Sequence, residues 1–299
     1  MLPNYKGLQS TEFVLYYPLE NFIRQFETIL SLNKTTEATC GKTACLKGRP
    51  FGRPFLLGKE EFGVDTMPRY SVIEGKNPRE ICLLRGRGCQ WRRCAFCDYH
   101  LDFSLDQEAN DQLNQQVLAQ VDGHLGRLEV INSGSFCDLS TKTHQEIRRI
   151  CQERKIGQLH FECHWMHRHE IEAIRHFYGD RGIEVTIKMG VETFDYAYRE
   201  QILRKGIDTA SPAEIACYAD EVCLLFGLQG QTVESMERDI QTALAYFRRV
   251  CVNIMVENST PIKPDPTVIR GFVEQLYPKY RDEQRVDILL NNTDFGVGA

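Results

Sequence analysis

Arg87-Gly-Cys-Gln-Trp-Arg-Arg-Cys-Ala-Phe-Cys-Asp-Tyr-His100 puts three thiols, Cys89, Cys94 and Cys97, within nine residues, directly after an apolar run of strand length at Ile81–Arg85. Three close thiolates want iron or zinc. Zinc has a case, because His100 follows Cys97 by three positions and completes a Cys₃His set. The C-x₄-C-x₂-C spacing also matches a plant-type ferredoxin, whose fourth cysteine lies far away. The length of chain beyond the loop argues against a simple electron carrier, since about two hundred further residues need an explanation. A cluster held by only three cysteines leaves one iron free, which suits catalysis better than electron storage.

Downstream, strand-length apolar runs alternate with amphipathic helical stretches, the pattern of βα units around a parallel sheet. Expected strands are Ile81–Arg85, Leu128–Asn132, Gln158–Cys163, Glu184–Met189, Glu221–Phe226 and Val250–Glu257, with a further one at Val286–Leu290. Helix starts are legible too. Ser211 with Pro212 at the first helical position opens one, and Thr232 opens the run through Arg249. Six such units form an open doubly wound sheet or a barrel, and both place chemistry at the carboxyl ends of the strands. Residues 1–78 break the rhythm, with a helix expected near Glu20–Leu32 and a Gly/Pro-punctuated stretch from Cys40 to Gly63. They read as an appendage or lid on a core at 79–260, and 261–299 as a helix, strand and tail that close it.

The 299 residues suffice for one substantial core, and 42% hydrophobic with 26% charged residues fits a folded globular chain. A net charge of −5 disfavours a partner that needs a broad cationic face, such as intact tRNA or duplex DNA, and favours a small substrate. No apolar run reaches the ~20 residues of a membrane helix and Met1–Lys6 lacks signal-peptide character, so the expectation is a cytoplasmic protein. Twelve irregularly spread cysteines read as reduced thiols and metal ligands, with Cys82, Cys151, Cys217, Cys223 and Cys251 assigned to apolar or helical patterns.

Strand, three-cysteine loop and βα units together resemble the radical S-adenosylmethionine (SAM) superfamily over residues 80 to 260. The resemblance implies a partial (β/α)₆ TIM-like barrel. It also implies a [4Fe-4S] cluster on Cys89, Cys94 and Cys97, with SAM chelating the fourth iron. The usual loop is C-x₃-C-x₂-C, so the extra residue before Cys94 is a departure. Phe96 stands where the superfamily carries an aromatic near the SAM adenine. Asn132, Ser133, Gly134 and Ser135 stand where a small glycine-containing motif approaches the methionyl amino group, without that motif's glutamate. Met189-Gly-Val-Glu-Thr193 resembles a Gly-x-Glu-Ser/Thr segment, which implies cofactor contacts at Gly190 and Glu192. Phe226-Gly-Leu-Gln-Gly-Gln-Thr232 resembles a turn beside the adenine and brings in Leu228. The reaction so implied is reductive cleavage of SAM to a 5′-deoxyadenosyl radical that takes a hydrogen from the substrate. A reduced flavodoxin or ferredoxin would supply the electron.

Strand alternation aims Lys188 inward, and it puts His160, Glu162 and His164 on one face, with Phe161, Cys163 and Trp165 on the other. Lys188, Glu162 and, shortly after the second strand, Asp138 are the candidate catalytic residues, with Lys188 also a candidate cofactor contact. His164, Asn253, Glu257 and Asp294, with Asp138 again, are candidates for substrate contact. The dense His160–His169 stretch is also a possible metal site, Cys40 and Cys45 a possible second cluster, and Arg85 and Arg87 a possible anion clamp. The variant cysteine spacing, the missing RNA-binding module and the non-barrel N-terminal segment resemble the queuine-salvage lyases. These release the 7-deazaguanine base queuine from queuosine or its 5′-monophosphate. Competing readings are another radical SAM chemistry on a nucleoside, RNA or peptide, and a non-catalytic iron-sulfur or zinc protein.

Overall fold

The computed structural model describes residues 68–290. The helix expected near Glu20–Leu32, Cys40, Cys45 and the tail with Asp294 lie outside the described residues.

Among the described residues, eight strands form one sheet in chain order: β1 (Tyr70–Ile73), β2 (Arg79–Leu84), β3 (Arg127–Asn132), β4 (Gln158–Glu162), β5 (Glu184–Glu192), β6 (Glu221–Phe226), β7 (Arg249–Ile254) and β8 (Val286–Leu289). From β2 to β8 every pairing is parallel. β1 is not among the expected strands. It lies antiparallel to β2, with Tyr70 opposite Cys82 and Ile73 opposite Arg79. The expected Val250–Glu257 strand stops at Ile254, so the alternation that would have put Glu257 beside Asn253 does not reach it.

Helices α1 (Gln107–Leu118), α2 (Thr141–Glu153), α3 (Ile171–Gly179), α4 (Pro212–Ala216), α5 (Val233–Tyr246), α6 (Pro266–Gly271) and α7 (Tyr277–Tyr280) supply the connections. Their starts follow from side-chain capping. Asp106, Ser140, Ser211, Thr232 and Asp265 each accept a backbone N–H of the first turn, which satisfies donors that the helix itself cannot. α5 ends at Tyr246 rather than Arg249, because Arg249 opens β7.

The outer face of the sheet is apolar. Cys82, Leu84, Leu128, Val130, Phe161, Val185 and Ile187 pack there with Val117, Leu118, Ile147, Ile150, Cys151 and Tyr178 from the helices. Burying them supplies the main driving force of this half of the fold, at about 25 cal/mol per Å² of apolar surface. Cys82 and Cys151 sit in this core as expected, whereas Cys217 is exposed and Cys223 and Cys251 face the other side of the sheet.

That other side is concave. Residues from β2 through β8 line a single cavity of about 500 Å³, which a flat sheet could not do. The turn after β1 reaches the far edge. Lys76 donates to the carbonyls of Arg281 and Glu283, and Asn77 Nδ2 donates to Asp287 Oδ2 at 3.0 Å. Deep in the concave face Glu129 is clamped between Arg79 and Lys188, all three buried. Burial opposes the charge of each, but mutual attraction wins, holding the carboxyl well below the usual carboxylate range and the ammonium above its usual value.

No helix among the described residues is long and apolar enough to cross a membrane.

Glu129→Ala removes the carboxylate that two buried cations share. The expected loss is about 3 kcal/mol of unfolding free energy in a urea titration. A change within about 0.5 kcal/mol, the range of an ordinary surface substitution, would show that the bridge is not structural.

Candidate active site

The cysteine loop is laid across the turn that comes after β3. Arg87 N–H donates to the Asp138 carbonyl at 3.2 Å and Cys89 N–H to the Ser133 carbonyl at 3.0 Å. Glycine is required at two of these contacts. A Cβ on Gly86 would sit 2.5 Å from the Asp138 carbonyl oxygen, and one on Gly134 would sit 3.0 Å from Cys89 Cα. The Asp138 carboxylate accepts the Ser135 N–H at 2.8 Å and Gln90 Nε2 at 3.1 Å, so it ties the turn to the loop.

The far side of the loop rests on residues 203–206. Ala95 N–H donates to the Leu203 carbonyl and Trp91 Nε1 to the Arg204 carbonyl, both at 2.9 Å. Trp91 also stacks on His164, with ring centroids 5.3 Å apart. A Cβ on Gly206 would meet the Trp91 ring at 2.2 Å, and its φ of +77° is one that other residues rarely adopt. Arg92, in the left-handed region at φ +46°, donates to the carbonyls of Cys89 and Arg87. With Arg93 laid over the Trp91 ring, 5.0 Å from its centroid, all four residues between Cys89 and Cys94 have fixed places, which accounts physically for the longer spacing.

Cys89, Cys94 and Cys97 all line the cavity, together with Phe96. Burial pushes the Cys97 thiol up to about 12 and raises Cys94 as well, so a bound cation is needed to favour their thiolates. Zinc-bound sulfurs at about 2.3 Å from the ion would lie under about 4 Å apart. Among the described residues, the group of three metal-ligating side chains with donor atoms all within 4.8 Å of one another is Glu80, Asp122 and His124, not this trio. Glu80 already accepts the N–H groups of Asp122 and Gly123 and the Tyr70 hydroxyl, which makes it a structural anchor. Thiols spread more widely suit a polynuclear cluster, in which each thiolate binds a different iron.

Next to the thiols, Lys205 pairs with Glu192 at 2.7 Å, and its ammonium lies 5.7 Å from the Phe96 ring centroid. Burial opposes the Lys205 charge, yet Glu192 more than restores it. Glu192 sits at a register shift of β5 with φ +68°, a strained position of the sort that gathers at functional sites. One layer deeper, Glu162 of β4 pairs in register with Lys188 of β5. Burial pushes its carboxyl up to about 7. Burial also lowers the His164 pKa to about 3. Its neutral ring uses both nitrogens, one bonding the Lys205 carbonyl at 2.8 Å and the other accepting the Met166 N–H.

A queuine lyase from Clostridium spiroforme, solved bound to SAM and queuine, is 41% identical to this chain. The match covers 78% of this chain and 100% of that one, with a TM-score of 0.74. The chain belongs to the queuine lyase family. A spore cortex-lytic enzyme, SleL, from Bacillus megaterium is 11% identical at a TM-score of 0.28, over 72% of this chain and 59% of that one, too weak a likeness to bear on fold or function. No protein-family model and no curated protein matches the sequence. The resemblance to radical SAM enzymes, and among them to the queuine-salvage lyases, is thereby borne out.

For a queuine lyase, the placement of the expected site residues is informative. Cys89, Cys94, Cys97, Phe96, Ser133, Gly134, Glu162, His164, Lys188, Gly190, Glu192 and Asn253 converge on one cavity. Asn132 and Ser135 stand behind its wall, where Asn132 Nδ2 donates to the Ser135 carbonyl and Ser135 Oγ accepts the His164 N–H. Leu228 packs with Phe96, Leu203, Leu225 and Met255. Asp138 is buried under the cysteine loop as its tie rather than in the cavity, because both carboxylate oxygens are engaged there. Glu257 is exposed and pairs with Lys263 at 2.7 Å. His160 does not line the cavity and lies 3.6 Å from Glu221, with both side chains buried. The cavity also takes in Arg79, Tyr99, Glu129, Lys205, Cys223, Cys251 and Asp287, none of which stands out as a site residue in the sequence. Cys223 and Cys251, read as core, are register partners on β6 and β7 whose inward direction follows from strand alternation. Lys205 gives no local signal at all.

A raised folded-state pKa at Glu162 penalises folding only once the group ionises. The penalty is absent below its ordinary value of 4.5, grows as pH rises toward about 7, and is constant above. Relative to wild type, Glu162→Gln should gain on the order of 2 kcal/mol of unfolding free energy between pH 4.5 and 8, after discounting for an open cavity. Parallel stability profiles for the two proteins would contradict the assignment.

Proposed function

We propose that this protein is a radical SAM lyase that releases queuine from queuosine or queuosine 5′-monophosphate. The carrying observation is the 41% identity across the whole length of a queuine lyase that binds SAM and queuine. It is joined by a three-thiol loop that opens onto a cavity with charged side chains in its lining. In this reading Cys89, Cys94 and Cys97 hold a [4Fe-4S] cluster, which the chemistry and wide spread of the three thiols fit. With SAM bound and one electron delivered, that cluster would supply a 5′-deoxyadenosyl radical able to take a hydrogen atom from the substrate sugar.

The protein's part is placement. Phe96, Leu225 and Met255 offer apolar surface at the mouth of the cavity, Ser133, Gly134, Gly190 and Glu192 offer polar groups for the methionyl and ribose portions, and Lys205 keeps positive charge near the thiolates. Lys188, held by Glu129, lends positive charge to the interior without being free to act as a base. Such fixed dipoles and charges orient substrate and exclude water, which prevents quenching of reactive species. The parallel steps from β2 to β7 constitute the (β/α)₆ core, carried by residues 79–260. A reduced flavodoxin or ferredoxin is the electron donor in this reading, and the cytoplasm, where thiols stay reduced, is the place of action.

Anaerobically reconstituted protein given SAM, a one-electron reductant and queuosine 5′-monophosphate should yield free queuine and 5′-deoxyadenosine by mass spectrometry. Cys89→Ala, Cys94→Ala and Cys97→Ala should each abolish both products together with the cluster absorbance. Reductant-dependent deoxyadenosine with the nucleotide left intact, and likewise queuosine, would overturn the substrate assignment.

A further inference from the structure

Four exposed arginines, Arg87, Arg92, Arg93 and Arg204, surround the cysteine loop. Arg92 reaches the rim of the cavity, whereas Arg87, Arg93 and Arg204 are no part of its lining. The loop's own contacts gather them into one band. Trp91 Nε1 donates to the Arg204 carbonyl, the Arg93 guanidinium lies over the Trp91 ring, and Arg92 donates to the Arg87 carbonyl. None of the four has an ion pair among the described residues, and residues 86–97 and 201–206 contain no Asp or Glu to supply one. The carboxylates that flank the second stretch are occupied: Glu200 accepts from Arg199 and from the N–H groups of Gly206 and Ile207, and Asp208 accepts from Trp165 Nε1. In a chain of net charge −5, such a band is a local exception.

Apolar side chains stand at both ends of the band. Leu105, 81% exposed, lines a small surface pocket together with Arg87. Ile202, 50% exposed, comes one residue before Leu203, whose carbonyl holds the Ala95 N–H. A single exposed leucine needs no explanation. Apolar residues set among unpaired arginines and a tryptophan have the composition of a docking surface, where Arg and aromatic residues are enriched.

The place of the band decides the kind of partner. Arg93 directly precedes Cys94, so the exposed surface and a cluster thiol are one residue apart. A protein that carries electrons cannot enter a cavity of about 500 Å³ and must approach the loop from outside. We propose that Arg87, Arg93 and Arg204, with Leu105 and Ile202 beside them, dock an acidic one-electron carrier protein, which reduces the cluster by one electron through the loop and is itself oxidised by one. The proposal rests on the cluster reading above and gives the electron donor its site. A small cationic patch suits such a partner, since redox encounters bury little surface and are steered by charge. Nucleic acid is the poorer match, because a chain with a negative net charge repels a long polyanion beyond the patch.

The test follows cluster reduction in the anaerobically reconstituted holoenzyme by stopped-flow absorbance, with reduced flavodoxin as donor and with photoreduced 5-deazariboflavin as a small neutral one. The variant is Arg87→Glu with Arg204→Glu. Neither side chain hydrogen-bonds within the described residues, so the backbone ties of the loop remain. The wild-type rate with flavodoxin should fall as salt is raised. The double variant should be slower by about 10-fold or more at low ionic strength and lose that salt dependence. Reduction by 5-deazariboflavin should be the same in both proteins. Equal flavodoxin rates, a wild-type rate indifferent to salt, or an equal slowing with 5-deazariboflavin would overturn the docking surface. So would a transfer RNA gel shift that the double variant abolishes while its reduction by flavodoxin stays at the wild-type rate. Queuine release driven by 5-deazariboflavin keeps the lyase function standing in each of these cases. A holoenzyme that is reduced by flavodoxin through the band but never releases queuine would bring down the substrate assignment and leave the docking surface in place.

Discussion

The cavity depends on one buried ionic bridge, in which Glu129 is held on both sides by Arg79 and Lys188. A sheet curled on itself must fill its concave side, and the usual filling is branched apolar side chains in layers. Here the concave side sets charged side chains among its apolar ones and keeps a cavity of about 500 Å³. Buried charges survive only when paired and hydrogen-bonded. Because Glu129 occupies Lys188, Glu162, the next carboxylate along the layer, has no ion pair among the described residues. Burial therefore raises its carboxyl pKa, against the pull of the nearby Lys188 charge.

Above that layer, the cysteine loop is a packing problem solved by a few particular residues. Its longer Cys89–Cys94 spacer is not slack, because Trp91 is wedged against Gly206 and His164 while Arg92 folds back onto the loop's own carbonyls. Residues 203–206 are fixed in turn by Arg199. This side chain is fully buried and donates to the carbonyls of Thr193 and Ile207 on either side of that segment. The chain places Lys205 beside the thiols through this scaffold, with glycine serving where no side chain fits.

Much of this is legible in residue order, and the failures have physical causes. The seven parallel strands announce themselves as apolar runs separated by capped helices, and their bounds fall within one or two residues except at Glu192 and Ile254, where strand length is set by a register shift and by a turn. β1 is only four residues long, too short for periodicity to show, and exists because it pairs with β2. The cysteines, Phe96, Ser133, Gly134, Gly190 and Glu192 are legible because local motifs carry them. Alternation along β4 and β5 aims Glu162 and Lys188 correctly. Lys205 and Tyr99 escape a reading of the sequence because their positions come from long-range packing. The place of Asp138 under the loop is not legible either, since a carboxylate shortly after a strand looks the same in sequence whether it meets substrate or ties down a loop.

A cluster held by three thiolates at the edge of this cavity makes a coherent site only if its fourth iron is open to SAM. Mössbauer spectroscopy of protein reconstituted with iron-57, recorded with and without SAM, addresses this directly. With the fourth iron open, SAM alters the signal of one iron in four and leaves the other three as they were. A spectrum unchanged by SAM, with all four irons already ligated by protein, would contradict it.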